Sequence, residues 1–391
     1  MILPPPADVE AQLAAARRDG DLDRYLGLLA GEELFVPIRR VDARSILDER
    51  AETFPNVYFE TGGDEFLQVF TRGALPDLGS DVVAMSGALD WAVDGVGRHE
   101  RVVFNRGTRG EWRLPGATLQ PWLDAHKDDV TPLEEQVERL ITAPYGHLEG
   151  PIAHALACGA HLAVLNAAPW NVLDARRHDY VAEVRGLRDW WGVPDPPGWR
   201  ATMADLIGDG YALTPGNLVL MLRLRFAAEY GLRNGEFDPL TWAELVDRWC
   251  AENDAEDQAD ELRDTVRRVS RCERRLRADG LVDADGFVTT ALSWDVGRAV
   301  NIARWGLAAG YCDALTAELM VLEAGSLARR YHQSWADLSA GYVMGRVLHA
   351  EDDEFGEWYP AAVRVHHQLL QDPASPWLNL DFGSLSEESE A

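Results

Sequence analysis

Hydrophobic positions along the chain follow two different periods, one before and one after about residue 130. In the first part, short runs of β-branched and aromatic residues end at Gly, Asp or Asn, which is the pattern of β-strands. These runs cover residues 34–38, 57–60, 66–70 and 101–104. Helical periodicity covers residues 8–30 and 119–126. Strands and helices in this mixed order predict a compact α+β domain over residues 1–125.

From residue 131 onward, the strand signals largely stop, and helical patterns follow one another between prolines and a turn at residues 283–286. We therefore predict an α+β N-terminal domain followed by a larger all-α helical domain. The expected divisions are residues 1–125 for the first domain, 126–150 for a linker and helix, 151–382 for the all-α domain and 383–391 for a disordered acidic tail. Residues 252–277 are acidic first and Arg-rich later, which predicts a long surface helix.

One helix of the all-α part has no face suited to water. At 100° per residue, Trp294, Arg298, Asn301 and Trp305 fall in one stripe, and the opposite side is apolar. A helix of this kind is normally buried on both sides. We therefore expect the Arg298 guanidinium to have an internal partner, because leaving a buried charge unpaired costs about 3–5 kcal/mol.

A second helix repeats this design, with Trp335 and Arg346 on one face. We expect Arg298 and Arg346 both to be buried, and at least one of them to pair with Asp295 or Glu318. The polar residues of these helices form a predicted Arg/Trp seam, which consists of Asp295, Arg298, Asn301, Arg304, Glu318, Tyr342 and Arg346.

The Arg/Trp seam has two interpretations. The first is a buried Arg–carboxylate network that fixes helix packing, which we favour because buried ion networks are commonly structural. The second is a pocket for an anion or for a partner's carboxylate. In that pocket, Arg298 and Arg346 are the bidentate donors and Trp rings form the walls.

Several short motifs of the C-terminal part occur in a fixed order. They are Trp294-Asp295-Val296-Gly297-Arg298, Arg304-Trp305-Gly306, Gly310-Tyr311, Ser334-Trp335, Gly345-Arg346 and Ser375-Pro376-Trp377. This series resembles the bacterial family catalogued as domain of unknown function 1266, over roughly residues 151–381. The resemblance implies an all-helical domain with no assigned substrate, cofactor or catalytic residue.

The N-terminal part carries a different set of motifs. They are Leu34-Phe35-Val36-Pro37, Val69-Phe70-Thr71 and Val103-Phe104-Asn105-Arg106-Gly107. Over about residues 20–125, this pattern is similar to the N-terminal domain of the SseB family. That resemblance implies a binding or accessory module.

Composition excludes several classes of function. The net charge of −28 argues against binding to nucleic acid and to anionic membranes, which require a basic surface. Lys127 is the only lysine, so a phosphate-binding Gly-Lys-Ser/Thr loop and Schiff-base chemistry are excluded. The four cysteines are far apart, as expected of reduced, mostly buried thiols. The chain shows neither a signal-peptide pattern nor 18 consecutive apolar residues, and we expect a cytoplasmic bacterial protein.

Two other motifs do not support their best-known functions. Residues 62–66 spell the loop of diguanylate cyclases, but the upstream motifs of those enzymes are missing, and a hairpin turn explains the same letters. His349, His366, His367 and the acidic residues 351–354 suggest metal ligands, but adjacent histidines on a helix point about 100° apart. We predict a solvated acidic turn, and neither a metal ion nor a cofactor.

These observations favour a binding or accessory protein that acts as a partner of another protein. The alternative is an enzyme or small-molecule sensor acting on an anionic ligand in the Arg/Trp seam. An apolar surface patch with a dry, fully paired seam favours the first function. An open concave pocket with unpaired Arg head groups favours the second.

Overall fold

The computed structural model contains an N-terminal sheet with helices and a C-terminal helical region. It describes residues 9–48, 66–79, 81–96, 101–127, 130, 138–173, 178–208, 214–232, 237–350, 355–356 and 358–383. The architecture is therefore mixed, as the sequence predicts, with the strands confined to the N-terminal part.

Five strands form one sheet in the order β3-β1-β2-β4-β5. Their bounds are β1 Leu34–Arg39, β2 Leu67–Thr71, β3 Val82–Gly87, β4 Arg101–Phe104 and β5 Trp112–Pro115. β2 and β4 are parallel, and the other neighbouring pairs are antiparallel, with Phe35 opposite Phe70 and Val102 opposite Leu114. The helices of this part are α1 Val9–Asp19, α2 Leu22–Ala30, α3 Arg40–Leu47, α4 Leu89–Val96 and α5 Leu119–His126.

The sequence predicts part of this sheet correctly. The runs at 34–38, 66–70 and 101–104 are confirmed as β1, β2 and β4, whereas the run at 57–60 lies outside the described residues. The single helix predicted over residues 8–30 is wrong. Gly20 adopts a φ of +71°, which ends α1, and the Asp21 carboxylate accepts a hydrogen bond from Arg24 N at 3.0 Å to begin α2.

Helices make up most of the chain after residue 150. Their bounds are α6 Gly150–Cys158, α7 Ala160–Leu165, α8 Tyr180–Trp191, α9 Pro196–Ile207, α10 Pro215–Glu229, α11 Pro239–Glu252, α12 Ala259–Ala278, α13 Ser293–Ala309, α14 Ala314–Tyr331, α15 Trp335–Ala350, α16 Trp358–Gln371 and α17 Pro376–Asn379. The predicted charged helix over 252–277 is in fact α12, which starts later because Asp254 has a φ of +54° and interrupts the chain after α11.

The central helix of this region is α13, which packs against α6, α7, α8, α9, α14 and α15. Fifteen of its 17 residues are buried, so the prediction of a helix without a solvent face is confirmed. Close packing requires glycine at position 306, where a Cβ would lie 2.1 Å from Nε1 of Trp199. The absence of a side chain at Gly306 leaves room for the Trp199 ring, whose Nε1 donates to the Ile302 carbonyl at 3.0 Å.

A buried ion pair connects α10 to α12. Arg223 donates to both carboxylate oxygens of Glu273, at 2.8 and 3.0 Å, and its guanidinium lies 4.6 Å from the centroid of Trp242. Arg223 also donates to the Val288 carbonyl at 2.6 Å, and Glu273 accepts from Val288 N at 2.9 Å. The pair therefore also fixes the segment that leads into α13.

The sheet and the helical region contact each other at the start of α8. Tyr180 and Val181 are buried among the apolar residues of the sheet side. The Asp179 carboxylate accepts from Ala182 N at 2.8 Å as the cap of α8, and from Ser86 N of β3 at 2.7 Å. Burial raises the pKa of Asp179 to about 6. Whether the two parts fold independently on either side of residues 126–150 stays a prediction.

Two buried histidines share one serine in the helical core. Ser339 Oγ lies 2.7 Å from His161 Nε2 and 2.7 Å from His366 Nδ1. The His161 ring also stacks on Tyr342, with 4.3 Å between centroids. Burial lowers the pKa of His161 well below its usual value and that of His366 to about 4. Both imidazoles are therefore neutral at pH 7.

We expect Glu273→Ala to reduce the free energy of unfolding by about 3–5 kcal/mol, because it leaves the buried Arg223 guanidinium without its carboxylate. Urea unfolding measures this change. The matched control is Glu229→Ala, which removes the exposed partner of Arg225 on α10 and should cost at most about 0.5 kcal/mol. Equal costs for the two variants would contradict the structural role of the pair.

We expect acid to destabilise the protein through its buried histidines. Because burial lowers the folded-state pKa of His366, its contribution is fully present above about pH 6.5 and is lost as the pH falls toward 4. At pH 4 the loss amounts to about 3 kcal/mol. The stability gap between the wild type and His366→Asn, measured by urea unfolding at several pH values, should therefore shrink from pH 7.5 to pH 4. If the difference in free energy of unfolding between the two proteins does not change with pH, the lowered pKa of His366 is refuted.

Candidate functional site

The structure divides the Arg/Trp seam into two groups along α13. Asn301 and Arg304 lie toward its C-terminal end. Asp295 and Arg298 lie toward its N-terminal end, close to α15. The sequence predicts which face of the helix these residues share but not their division into two sites.

The group formed by Asn301 and Arg304 is structural. The Arg304 guanidinium is 2 % exposed and donates to the carbonyls of Val172 at 2.8 Å and Pro169 at 2.5 Å, and to Asn301 Oδ1 at 3.1 Å. Burial lowers the pKa of Arg304 to about 10. Asn301 in turn donates to the Gly159 carbonyl at 3.0 Å. Arg304 therefore holds residues 169–172, which precede α8, against α13, and Asn301 holds Gly159 against the same helix.

Glu318 belongs to neither group. It lies on α14 and is partly exposed, while its neighbours Ala317 and Val321 point into the core. Within the described part of the chain, Glu318 forms no ion pair or hydrogen bond with another residue of the seam. The partner of Arg298 is therefore Asp295, one of the two expected candidates.

The second group surrounds Trp294. The guanidinium carbons of Arg298 and Arg346 lie 5.1 and 5.3 Å from the centroid of this ring. Arg298 forms an ion pair with Asp295. Arg346 lies over Trp358 at 4.9 Å, but no carboxylate of the described residues is within ion-pair distance of it, and its Nε has no hydrogen-bond partner there. Among the described residues, therefore, only one of these two guanidinium groups has a carboxylate partner.

Only one of these two arginines is as buried as the sequence predicts. Arg346 is 9 % exposed, whereas the side chain of Arg298 is 16 % exposed. The expectation that both are buried is therefore wrong for Arg298, because Arg298 lines an open cleft.

This cleft has a volume of about 420 Å³ and lies between α10, α12, α13 and α15. It is lined by Thr214, Pro215, Gly216, Asn217, Glu261, Asp264, Thr265, Arg268, Ala291, Trp294, Asp295, Arg298, Gly345, Leu348 and His349. Close approach of α15 to α13 at this point requires glycine, because a Cβ on Gly345 would lie 2.4 Å from Trp294 Cβ. The lining mixes both signs of charge with an aromatic wall.

The field beside Trp294 is positive. Burial lowers the pKa of His349. The positive charge of Arg298 also lowers this pKa, by more than the negative charge of Asp295 raises it. His349 is therefore neutral at pH 7. Burial also raises the pKa of Tyr342 to about 12, so that its phenol is neutral beside Arg346. Of the carboxylates that the structure describes, Asp295 alone lies within ion-pair distance of either guanidinium group.

Two donors near the cleft lack acceptors. Trp294 is 8 % exposed, and its Nε1 finds no hydrogen-bond partner in the described part of the protein. The same is true of the buried Nε of Arg298. In addition, α10 begins at the cleft, where Thr214 Oγ1 accepts from Asn217 N at 3.3 Å. The first turn of a helix carries a partial positive charge, which favours an anion.

Other sequence candidates do not form a site. Among the described residues, no three His, Cys, Asp or Glu side chains are placed to hold a metal ion. Residues 351–354 and residues 62–65 of the cyclase-like loop lie outside the described residues. All four cysteines are free, and three are buried. No helix of the described chain is both long and apolar enough to cross a membrane.

The last motif of the C-terminal part has a packing role. Ser375 caps the short helix α17, and Pro376 occupies its first turn. Trp377 stacks on Trp335 with 5.7 Å between centroids and donates to the Ala157 carbonyl at 2.9 Å. The tryptophans at these two positions belong to the core.

Comparison with known proteins relates the helical region to one family. The model of the family described as protein of unknown function (DUF1266) matches residues 186–382, which include the cleft and the whole Arg/Trp seam. Searches of curated proteins and of solved structures gave no match. The similarity of the N-terminal part to the SseB family stays a prediction. Since the matched segment covers half of the chain, the protein belongs to the DUF1266 family.

Proposed function

We propose that the helical region binds a small molecule through an anionic group that Arg298 holds in the cleft. One observation carries this proposal. The guanidinium groups of Arg298 and Arg346 both contact Trp294, only that of Arg298 has a carboxylate partner among the described residues, and Arg298 also borders a cleft of about 420 Å³. The protein would then act as a binding or sensor protein, and no chemical step is assigned to it.

The charge balance supports an anion. Arg346 does not line the cleft, but its guanidinium lies 5.3 Å from the centroid of Trp294, so the negative charge of a carboxylate or phosphate held by Arg298 would offset part of its unbalanced charge. The start of α10 also lines the cleft and favours negative charge there. The volume of the cleft falls within the range of small-molecule sites, about 300–1,000 Å³.

The sequence favours a protein partner, but the geometry supports the alternative better. A protein-binding role would be favoured by a fully paired seam and an apolar patch, whereas the seam opens into a cleft. The most exposed large apolar side chains, Trp190, Leu240 and Leu315, lie on three different helices. A role as partner of another protein, cytoplasmic location and bacterial origin remain predictions, as does the SseB-like binding module.

We expect small anions to raise the melting temperature of the protein. Differential scanning fluorimetry with inorganic phosphate, sulfate and citrate measures the shift, and an anion at 100 times its Kd should add about 2.7 kcal/mol. Arg298→Gln should abolish the shift. Arg225→Gln, on the exposed face of α10, is the matched control and should retain it. If none of the three anions shifts the wild type, the proposal fails.

Substituting Arg346 and Arg298 by Met should change the free energy of unfolding by different amounts. Arg346→Met removes a buried charge that has no carboxylate, so the free energy of unfolding should stay within about 1 kcal/mol of the wild type or rise. Arg298→Met leaves Asp295 without its partner and should cost about 1–3 kcal/mol. Urea unfolding without added anions measures both. A loss of about 3–5 kcal/mol in both variants would identify a purely structural network.

A further inference from the structure

We infer that the ligand of this cleft is a zwitterion, which carries an amine-type cation in addition to its anionic group. This inference rests on the proposed function and specifies the chemical class of the ligand. It is based on the wall that α12 contributes opposite Trp294 and Arg298.

Four residues of α12 face the cleft, at positions 261, 264, 265 and 268. This spacing places them in one stripe along the helix. The two acidic residues, Glu261 and Asp264, occupy the N-terminal half of the stripe, and Arg268 lies at its other end. The wall therefore has separate negative and positive ends.

The negative end is available to a ligand. In the described part of the protein, the Glu261 carboxylate takes part in no ion pair or hydrogen bond. Among the described residues, Asp264 pairs with Arg267 of its own helix alone, at 2.9 Å, and the side chains of both are well exposed. Arg268 is engaged differently, because it donates to the Leu348 carbonyl at 2.9 Å. A cationic group in the cleft would thus meet two accessible carboxylates.

The wall of the cleft that α13 contributes defines the orientation of the ligand. On the α13 side of the cleft, the Arg298 guanidinium favours an acceptor that carries negative charge. A ligand with only negative charges would also lie near Glu261 and Asp264 and would be repelled by them. A zwitterion satisfies both walls, with its anion toward α13 and its cation toward α12.

Pairs of probes that differ only in the amine test this inference. We would measure binding of phosphoethanolamine against ethyl phosphate, and of β-alanine against propionate, by isothermal titration calorimetry with the full chain. In at least one pair, the zwitterion should bind about tenfold more tightly than the simple anion. The two pairs also distinguish a phosphate from a carboxylate as the anionic group.

Variants of α12 identify the source of the preference. The double variant Glu261→Gln/Asp264→Asn should remove the preference for the zwitterion and leave binding of the simple anion equal or tighter. The matched control is Asp260→Asn, since Asp260 is an exposed acid of the same helix that pairs with Arg263 and does not line the cleft. It should keep the preference. Circular dichroism and urea unfolding establish that each variant is folded.

The outcomes separate this inference from the proposed function. If both members of a pair bind equally, or if the simple anion binds more tightly, the ligand is not a zwitterion, while loss of binding in Arg298→Gln still supports the anion site. A preference that survives in the double variant also overturns the inference. If none of the four probes binds the wild type, both the inference and the anion site are refuted.

Discussion

The nearly complete burial of α13 is the constraint on which the helical region depends. Six helices pack around it, so every polar group on its surface must find a partner inside the protein. Arg304 satisfies this requirement with backbone carbonyls, and Arg298 with Asp295 one turn earlier. Arg346 contacts Trp294 as well, but no carboxylate of the described residues balances its charge. The candidate site lies where this internal pairing is incomplete.

Periodicity in the sequence predicted the elements that have a strong pattern. The apolar and aromatic faces of α13 and α15 repeat at helical spacing, and β1, β2 and β4 are dense in β-branched and aromatic residues. β3 and β5 were missed. β3 ends in Ala84-Met85-Ser86-Gly87, and β5 has only four residues, so pairing within the sheet determines both strands more than their own composition does.

The candidate site could be predicted only in part, because a helical pattern indicates a face but not its neighbours. The expectation that Arg298 or Arg346 pairs with Asp295 or Glu318 is met by Arg298 and Asp295. The walls contributed by residues 214–217 and 261–268 are far from α13 in the sequence, and no periodicity connects them. The Arg223–Glu273 pair was missed for the same reason. Fifty residues separate its members, and Glu273 is one of many charged residues on α12.

Because α13 is a single continuous helix, its two ends cannot move independently. Ten residues of this helix, about 15 Å, separate Trp294 at the cleft from Arg304, which holds the chain before α8. α8 contacts α13 and also begins at Asp179, whose carboxylate accepts from β3. A rotation of α13 about its axis would thus reposition Arg298 and the support of α8 together. The fold mechanically links the cleft to the edge of the sheet.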